Sequence, residues 1–198
     1  MCGLYGYIGG VDPATLRRML TLAEARGDDS YGFYDAKHGT VRRGMGKVPY
    51  LPPHDRAVLL GHTRFRTSGG LSGRHAHPYP LGDGWVGAHN GGAWFVVDGL
   101  EEDLGCETDV DSEALLRACR LAIEGDGSAL SLAEWWGTVT LHHAPAGRTY
   151  IGTAETGVSL FTSPDRRAWC SYPAQKDWRI WGAPAGFRTW DGEHWSPF

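Results

Sequence analysis

The chain has 198 residues, 41% of them hydrophobic, and a formal net charge of −4. That length suits one domain, whose core buries roughly 70% of the surface exposed by the unfolded chain. The basic residues are scattered, which excludes the clustered Lys and Arg of a nucleic-acid footprint, and no stretch approaches the roughly 20 apolar residues of a membrane span.

The N-terminus lacks a basic leader, so the expected compartment is the cytoplasm. Cys2, Cys106, Cys119 and Cys170 form no CxxC pair and are expected to stay free in that reducing setting.

In chain order, residues 4–8 read as a short strand. Asp12-Pro13 is a helix start, a capping acid followed by proline at the first helical position. Leu16, Met19, Leu20 and Ala23 recur at helical spacing, and the helix should stop near Gly27. Residues 30–51 carry turn signals between short strands, and Ala57 to Gly61 is an apolar run suited to a buried strand. Residues 66–84, rich in Gly, Ser, His and Pro, read as a long loop, which in a compact domain marks function or disorder. Trp85–Ala88 and Trp94–Val97 read as two strands around His89-Asn90-Gly91-Gly92. Asp111 is expected to cap a second helix that carries Leu115, Leu116, Cys119 and Ala122 or Ile123 on one face and ends at Gly125. Leu130 to Trp136 reads as a third, shorter helix, and strands follow from Thr138. Two long helices among many short strands predict an α+β fold with antiparallel sheets.

Cysteine at position 2 suggests chemistry. A residue this small permits removal of the initiator Met, leaving a thiol and a free α-amine on one residue. The α-amino pKa is about 8 and that of a free thiol about 8.5. The amine can therefore take the thiol proton, so that nucleophile and base share a residue. The competing reading is a small buried side chain near a chain end.

Five further segments bear on that choice. They are Arg26-Gly27-Asp28-Asp29-Ser30-Tyr31-Gly32; Gly61-His62-Thr63-Arg64-Phe65-Arg66-Thr67 with His75-Ala76-His77-Pro78 downstream; His89-Asn90-Gly91; Asp109-Val110-Asp111-Ser112-Glu113; and Trp136-Gly137-Thr138-Val139. Together with Met-Cys-Gly-Leu-Tyr-Gly-Tyr-Ile-Gly at the start, their order and spacing resemble the class II glutamine amidotransferases. The likeness is to the glutaminase domain of glucosamine-6-phosphate synthase and its relatives, and it runs to about residue 175. It implies the four-layer αββα sandwich of N-terminal-nucleophile hydrolases and hydrolysis of the glutamine side-chain amide through a γ-glutamyl thioester on Cys2. It implies neither cofactor nor metal; His62, His75 and His77 lack the spacing of a closed zinc site.

Carried over residue by residue, Arg64 clamps the substrate α-carboxylate, which suits a guanidinium fork; otherwise it is a surface ion pair. Asp111 binds the α-ammonium or only caps its helix, and Asp109 competes for that role. Asn90, through its side-chain amide, and Gly91, through its backbone N–H, form the oxyanion hole; otherwise Asn-Gly is a hairpin turn. Thr67, His77 and Gly92 line the pocket or shape its loop.

Two departures stand out. Ser68 replaces a histidine common in the synthase relatives, and Phe95-Val96-Val97 stands where an asparagine often follows His-Asn-Gly. The reading is one glutaminase domain over 1–198, with a Trp-rich extension at 176–198 that either covers the core or docks a partner. A chain of this length is expected to leave no room for a second catalytic domain, so the expected partner is a separate ammonia-accepting synthase, unless free glutamate and ammonia are the products. The rival readings are a γ-glutamyl hydrolase acting on a larger conjugate and a non-catalytic binding domain.

Overall fold

The computed structural model describes residues 2–67, 69–96, 99–156, 159–182 and 185–198. The elements run β1 (Gly3–Ile8), α1 (Pro13–Glu24), β2 (Ser30–Asp35), β3 (Thr40–Met45) and β4 (Val58–Arg64), then a 3-10 turn at Gly73–His75, β5 (Tyr79–Gly82) and β6 (Trp85–Phe95). There follow α2 (Leu100–Asp103), α3 (Asp111–Glu124), α4 (Ser128–Ser131), β7 (Ala133–His143), β8 (Arg148–Thr153), β9 (Phe161–Thr162), β10 (Ala168–Cys170), β11 (Arg179–Ile180), β12 (Gly186–Trp190) and β13 (Trp195–Pro197). Among the described residues no helix is long and apolar enough to cross a membrane.

The strands form two antiparallel sheets, ordered β11-β9-β10-β1-β4-β2-β3 and β13-β12-β8-β7-β6-β5. Strand alternation sorts their side chains into three apolar layers. Tyr5, Tyr7, Phe33 and Leu59 pack under Leu16, Met19, Leu20 and Ala23 of α1. Leu4, Leu60, Val86, Ala88 and Ile151 fill the space between the sheets. Trp85, Val139, Leu141 and Tyr150 meet Leu115, Leu116 and Cys119 of α3 on the far side. The order is therefore α1, sheet, sheet, α3: an αββα sandwich.

The first helix starts as its sequence predicts, with the Asp12 carboxylate accepting a hydrogen bond from Thr15 N at 2.9 Å. Other expectations need correction. Residues 66–84 are not loop throughout, because the 3-10 turn and β5 lie within them. His89-Asn90-Gly91-Gly92 is no turn but the middle of the eleven-residue β6, which pairs along its length with β7; Val97 lies outside the described residues. Val110, not Asp111, is the N-cap of α3, and Asp111 is its first helical residue. The helix expected at Leu130 to Trp136 ends at Ser131, and β7 begins at Ala133.

Residues 176–198 supply β11 to one sheet and β12 and β13 to the other. Trp169, Trp178, Trp181 and Trp190 are buried. Trp195 lies edge-on to Trp169, Trp181 and Trp190, with ring centroids 5.3 to 6.3 Å apart.

Candidate active site

The site begins with strand register. Gly3 pairs with Thr63 across β1 and β4, and the same ladder continued brings Cys2 level with Arg64. Leu4 faces the gap between the sheets, as do Val58 and Leu60. Period-two alternation turns Cys2, His62 and Arg64 the same way. On β6, Val86 and Ala88 face that gap from the other sheet, and Asn90 shares their parity. Three strands thus aim a thiol, a guanidinium and an amide into one end of the sandwich. Gly3 makes the approach possible, since a Cβ there would collide with the Ala23 backbone and crowd Thr63 Oγ1.

Cys2 is half-buried, and its Sγ donates to the Phe65 carbonyl at 3.5 Å. Burial pushes the thiol pKa up, opposed by hydrogen bonding with the Phe65 backbone and by the positive charges of Arg64 and Arg26. The carbonyl of Cys2 accepts from Arg26 Nε at 2.6 Å. Arg26 also lies over the Tyr172 ring, 5.1 Å from its centroid. The loop after Arg64 is fixed by Asp29, whose N–H donates to Arg64 O at 3.0 Å and whose carboxylate accepts from Arg66 N at 2.7 Å.

Arg64 is 3% exposed and donates through Nη1 to Gly70 O at 2.9 Å. It is a buried cation at the strand end, not a surface ion pair. Asn90 is equally buried, and its Nδ2 donates to Ser171 Oγ at 3.0 Å. Ser171 in turn accepts from Leu4 N at 2.9 Å, so a short chain of hydrogen bonds links Asn90 to the strand that carries Cys2. At Gly91 a Cβ would overlap the Trp136 carbonyl, so only glycine fits there.

Asp111 accepts from Ala93 N at 3.0 Å, tying the start of α3 to β6 just beyond Gly92. Asp109 is exposed and pairs with His75 Nε2 at 3.1 Å. Thr67 is exposed on the loop after β4, and Ser68 lies outside the described residues.

His77 stands deeper. Its ring stacks on His62, with centroids 4.1 Å apart, and its Nδ1 accepts from His89 N at 3.1 Å. The His89 ring contacts Ser112 Oγ at 2.9 Å and Trp136 O at 3.1 Å. A carbonyl can only accept, so Nε2 carries the proton and Nδ1 accepts from the serine hydroxyl. Burial lowers the pKa of all three histidines, that of His62 to about 3, and keeps them neutral.

Register sets Cys2 beside Arg64, the Asn90–Ser171–Leu4 hydrogen bonds tie Asn90 to the same strand, and Gly91 and Asp111 flank Asn90 on β6 and α3. Arg26, Asp29 and Ser171 have no role assigned by the motifs alone. The first two lie within the Arg26–Gly32 segment; Ser171 carries no local signal and is found only through its hydrogen bonds. Among the described residues no group of three or more His, Cys, Asp or Glu is arranged to hold a metal ion.

Two layers of sheet between helices, with Cys2 just before the central strand β1, make an αββα sandwich. Solved structures share this fold. Glutamine phosphoribosylpyrophosphate amidotransferase of B. subtilis matches all of this chain and 49% of its own at a TM-score of 0.69 and 16% identity. A structure described as the allosteric regulatory enzyme of purine biosynthesis matches with a TM-score of 0.71 and 16% identity, over all of this chain and 48% of its own. No family model matches the sequence. Sequence relatives are glutamine–fructose-6-phosphate aminotransferases. That of Mycobacterium leprae is 40% identical over 112 residues, 46% of this chain and 17% of that protein. That of Corynebacterium efficiens is 30% identical over 151 residues, 64% of this chain and 24% of that protein. The chain thus spans less than a quarter of the length of these curated relatives. Sequence and fold thus resemble those of glutamine-dependent aminotransferases and amidotransferases.

Proposed function

We propose that the chain is a glutaminase whose nucleophile is Cys2, made N-terminal by removal of Met1. The observation that carries this reading is the common register of Cys2 and Arg64, with Asn90 facing them from the other sheet. Burial holds the thiol protonated at neutral pH, so it needs a base, and the freed α-amine of Cys2 is the nearest one by construction. The amine accepts the thiol proton, and sulfur attacks the side-chain carbonyl carbon of glutamine. The carbonyl electrons move onto oxygen, where Asn90 Nδ2 and the Gly91 N–H donate. Collapse breaks the C–N bond, the amine returns its proton to the leaving nitrogen, and ammonia departs. Water then cleaves the thioester to give glutamate and regenerate the thiol.

In this reading Arg64 holds the α-carboxylate and Asp111 the α-ammonium, with Thr67 at the rim and His77 behind the wall. Asn90 exchanges its bond to Ser171 for the oxyanion, or uses its second amide proton. The ammonia is then available to a synthase that consumes it. The test is glutamate and ammonia release from glutamine by purified protein, alongside its intact mass. Turnover that requires Cys2 and coincides with loss of Met1 supports the reading; full turnover with Met1 retained excludes the α-amine as base.

A further inference from the structure

A cavity lies at the opposite end of the sandwich from Cys2. It has a volume of about 380 Å³ and opens between the edges of the two sheets, where β9 and β11 face β12 and β13. Its position follows from register. Ala168 pairs with Tyr7, and Ser163 N donates to Ala168 O, which puts the cavity at the Ile8 end of β1. At about 3.3 Å per residue, six residues of strand separate it from Cys2 by roughly 20 Å.

The lining carries donors and cations. Arg166, Arg179 and Arg188 all contribute, and no Asp or Glu does. None of the three guanidinium groups has a hydrogen-bond or ion-pair partner among the described residues. Asp165, the nearest acid in sequence, is occupied by Ser163 Oγ and Arg167 N. Trp181 also lines the cavity. It is only 8% exposed, and its Nε1 is buried without an acceptor among the described residues. Buried donors are nearly always satisfied, so an orphan of this kind needs an explanation. Three like charges gathered in a chain of net charge −4 need one as well.

We propose that this cavity binds a small phosphorylated molecule, its phosphate among Arg166, Arg179 and Arg188 and its organic part against Trp195 and Ile180. Guanidinium forks match phosphate oxygens in pairs. A phosphate monoester brings close to two negative charges and three terminal oxygens, which suits three cations better than a single carboxylate does. The volume falls within the ordinary range of small-ligand sites, about 300–1,000 Å³. Trp195, half-buried and edge-on to Trp181, and the largely exposed Ile180 supply an apolar wall. Nothing in this site depends on Cys2 or on glutamine.

The test is a tryptophan-fluorescence and calorimetric titration of the whole chain with AMP, inorganic phosphate, adenosine and citrate. AMP should bind saturably, inorganic phosphate more weakly, and adenosine not at all. Arg179→Glu, a charge reversal at an exposed position, should weaken AMP by about twentyfold or more, and Arg188→Ala by about tenfold. Trp181→Phe, which keeps the ring and removes the donor, should cost roughly three- to tenfold. Arg17→Ala with Arg18→Ala, on the exposed face of α1, should leave binding unchanged. Melting curves of each variant separate lost binding from lost fold. No saturable AMP binding, equal binding of adenosine or citrate, or full affinity in folded Arg179→Glu would overturn the proposal.

Discussion

The two ends of the sandwich treat charge in opposite ways. At the Cys2 end the polar groups are held before any ligand arrives: Arg26 on the Cys2 carbonyl, Arg64 on Gly70, Asn90 on Ser171 and Asp111 on Ala93. At the other end Arg166, Arg179 and Arg188 share a cavity without partners among the described residues. The contrast is the one expected between catalysis and binding. A transition state gains only from groups that need no reorganisation when charge develops, whereas a dianionic ligand itself supplies the partner that free guanidinium groups lack.

The sharpest way to break that contrast is at the nucleophile. Cys2→Ala should abolish glutamine hydrolysis, a loss of roughly four orders of magnitude or more, while leaving glutamine affinity near normal in calorimetry. Residual turnover within tenfold of the parent would move the chemistry elsewhere. Asn90→Ala should lower kcat by about 10²–10³ with little change in KM, because the oxyanion exists only after attack. A raised KM at normal kcat would instead make β6 a substrate-binding strand. Arg64→Lys keeps the charge but loses the fork, and should raise KM about tenfold with kcat largely retained.

Smaller effects probe the held framework itself. Gly91→Ala puts a methyl against the Trp136 carbonyl and should cost about 1–3 kcal/mol in denaturant unfolding. The buried histidines give a pH signature. Their folded pKa values are depressed, His62 to about 3 and His142 to about 4, whereas the unfolded value is about 6.5. The unfolded chain therefore takes up protons first, so the stability these residues confer is complete above about pH 6.5 and is lost as pH falls toward the folded values. At pH 5 the loss is roughly 2 kcal/mol for each histidine. A Tm unchanged between pH 7 and pH 5 would contradict their neutral burial.

Much of this architecture was legible in the sequence because local signals agreed with the fold. Asp12-Pro13 caps α1 as read, and Leu16, Met19, Leu20 and Ala23 are the side chains it buries. The errors fall where two periods compete. Leu130 to Trp136 offers apolar residues that fit a helix, yet Ala133, Trp135, Val139 and Leu141 face α3 at period two along β7. Asn90-Gly91 carries the strongest short-range turn signal, but its glycine answers to the Trp136 carbonyl on the neighbouring strand, a contact that local sequence cannot reveal. Within the candidate site, Cys2, Arg64, Asn90 and Asp111 were found by motif. Arg26, Asp29 and Ser171 emerged only from hydrogen bonds spanning up to 167 positions of the chain. The cationic cavity was invisible for a related reason. Arg166, Arg179 and Arg188 are spread over three segments, and only the edges of two sheets bring them together.

The most direct test of the account is peptide-level mass spectrometry after treatment with a glutamine analogue bearing an electrophilic side chain. The account predicts one adduct per chain, on Cys2, in protein that has lost Met1, with hydrolysis of glutamine lost in step with labelling. Cys119 and Cys170 are buried thiols with pKa values raised by burial, and the half-buried Cys106 is shifted the same way, so none of the three should compete. An adduct on any of them in place of Cys2, or full activity in protein whose Cys2 is labelled, would contradict it.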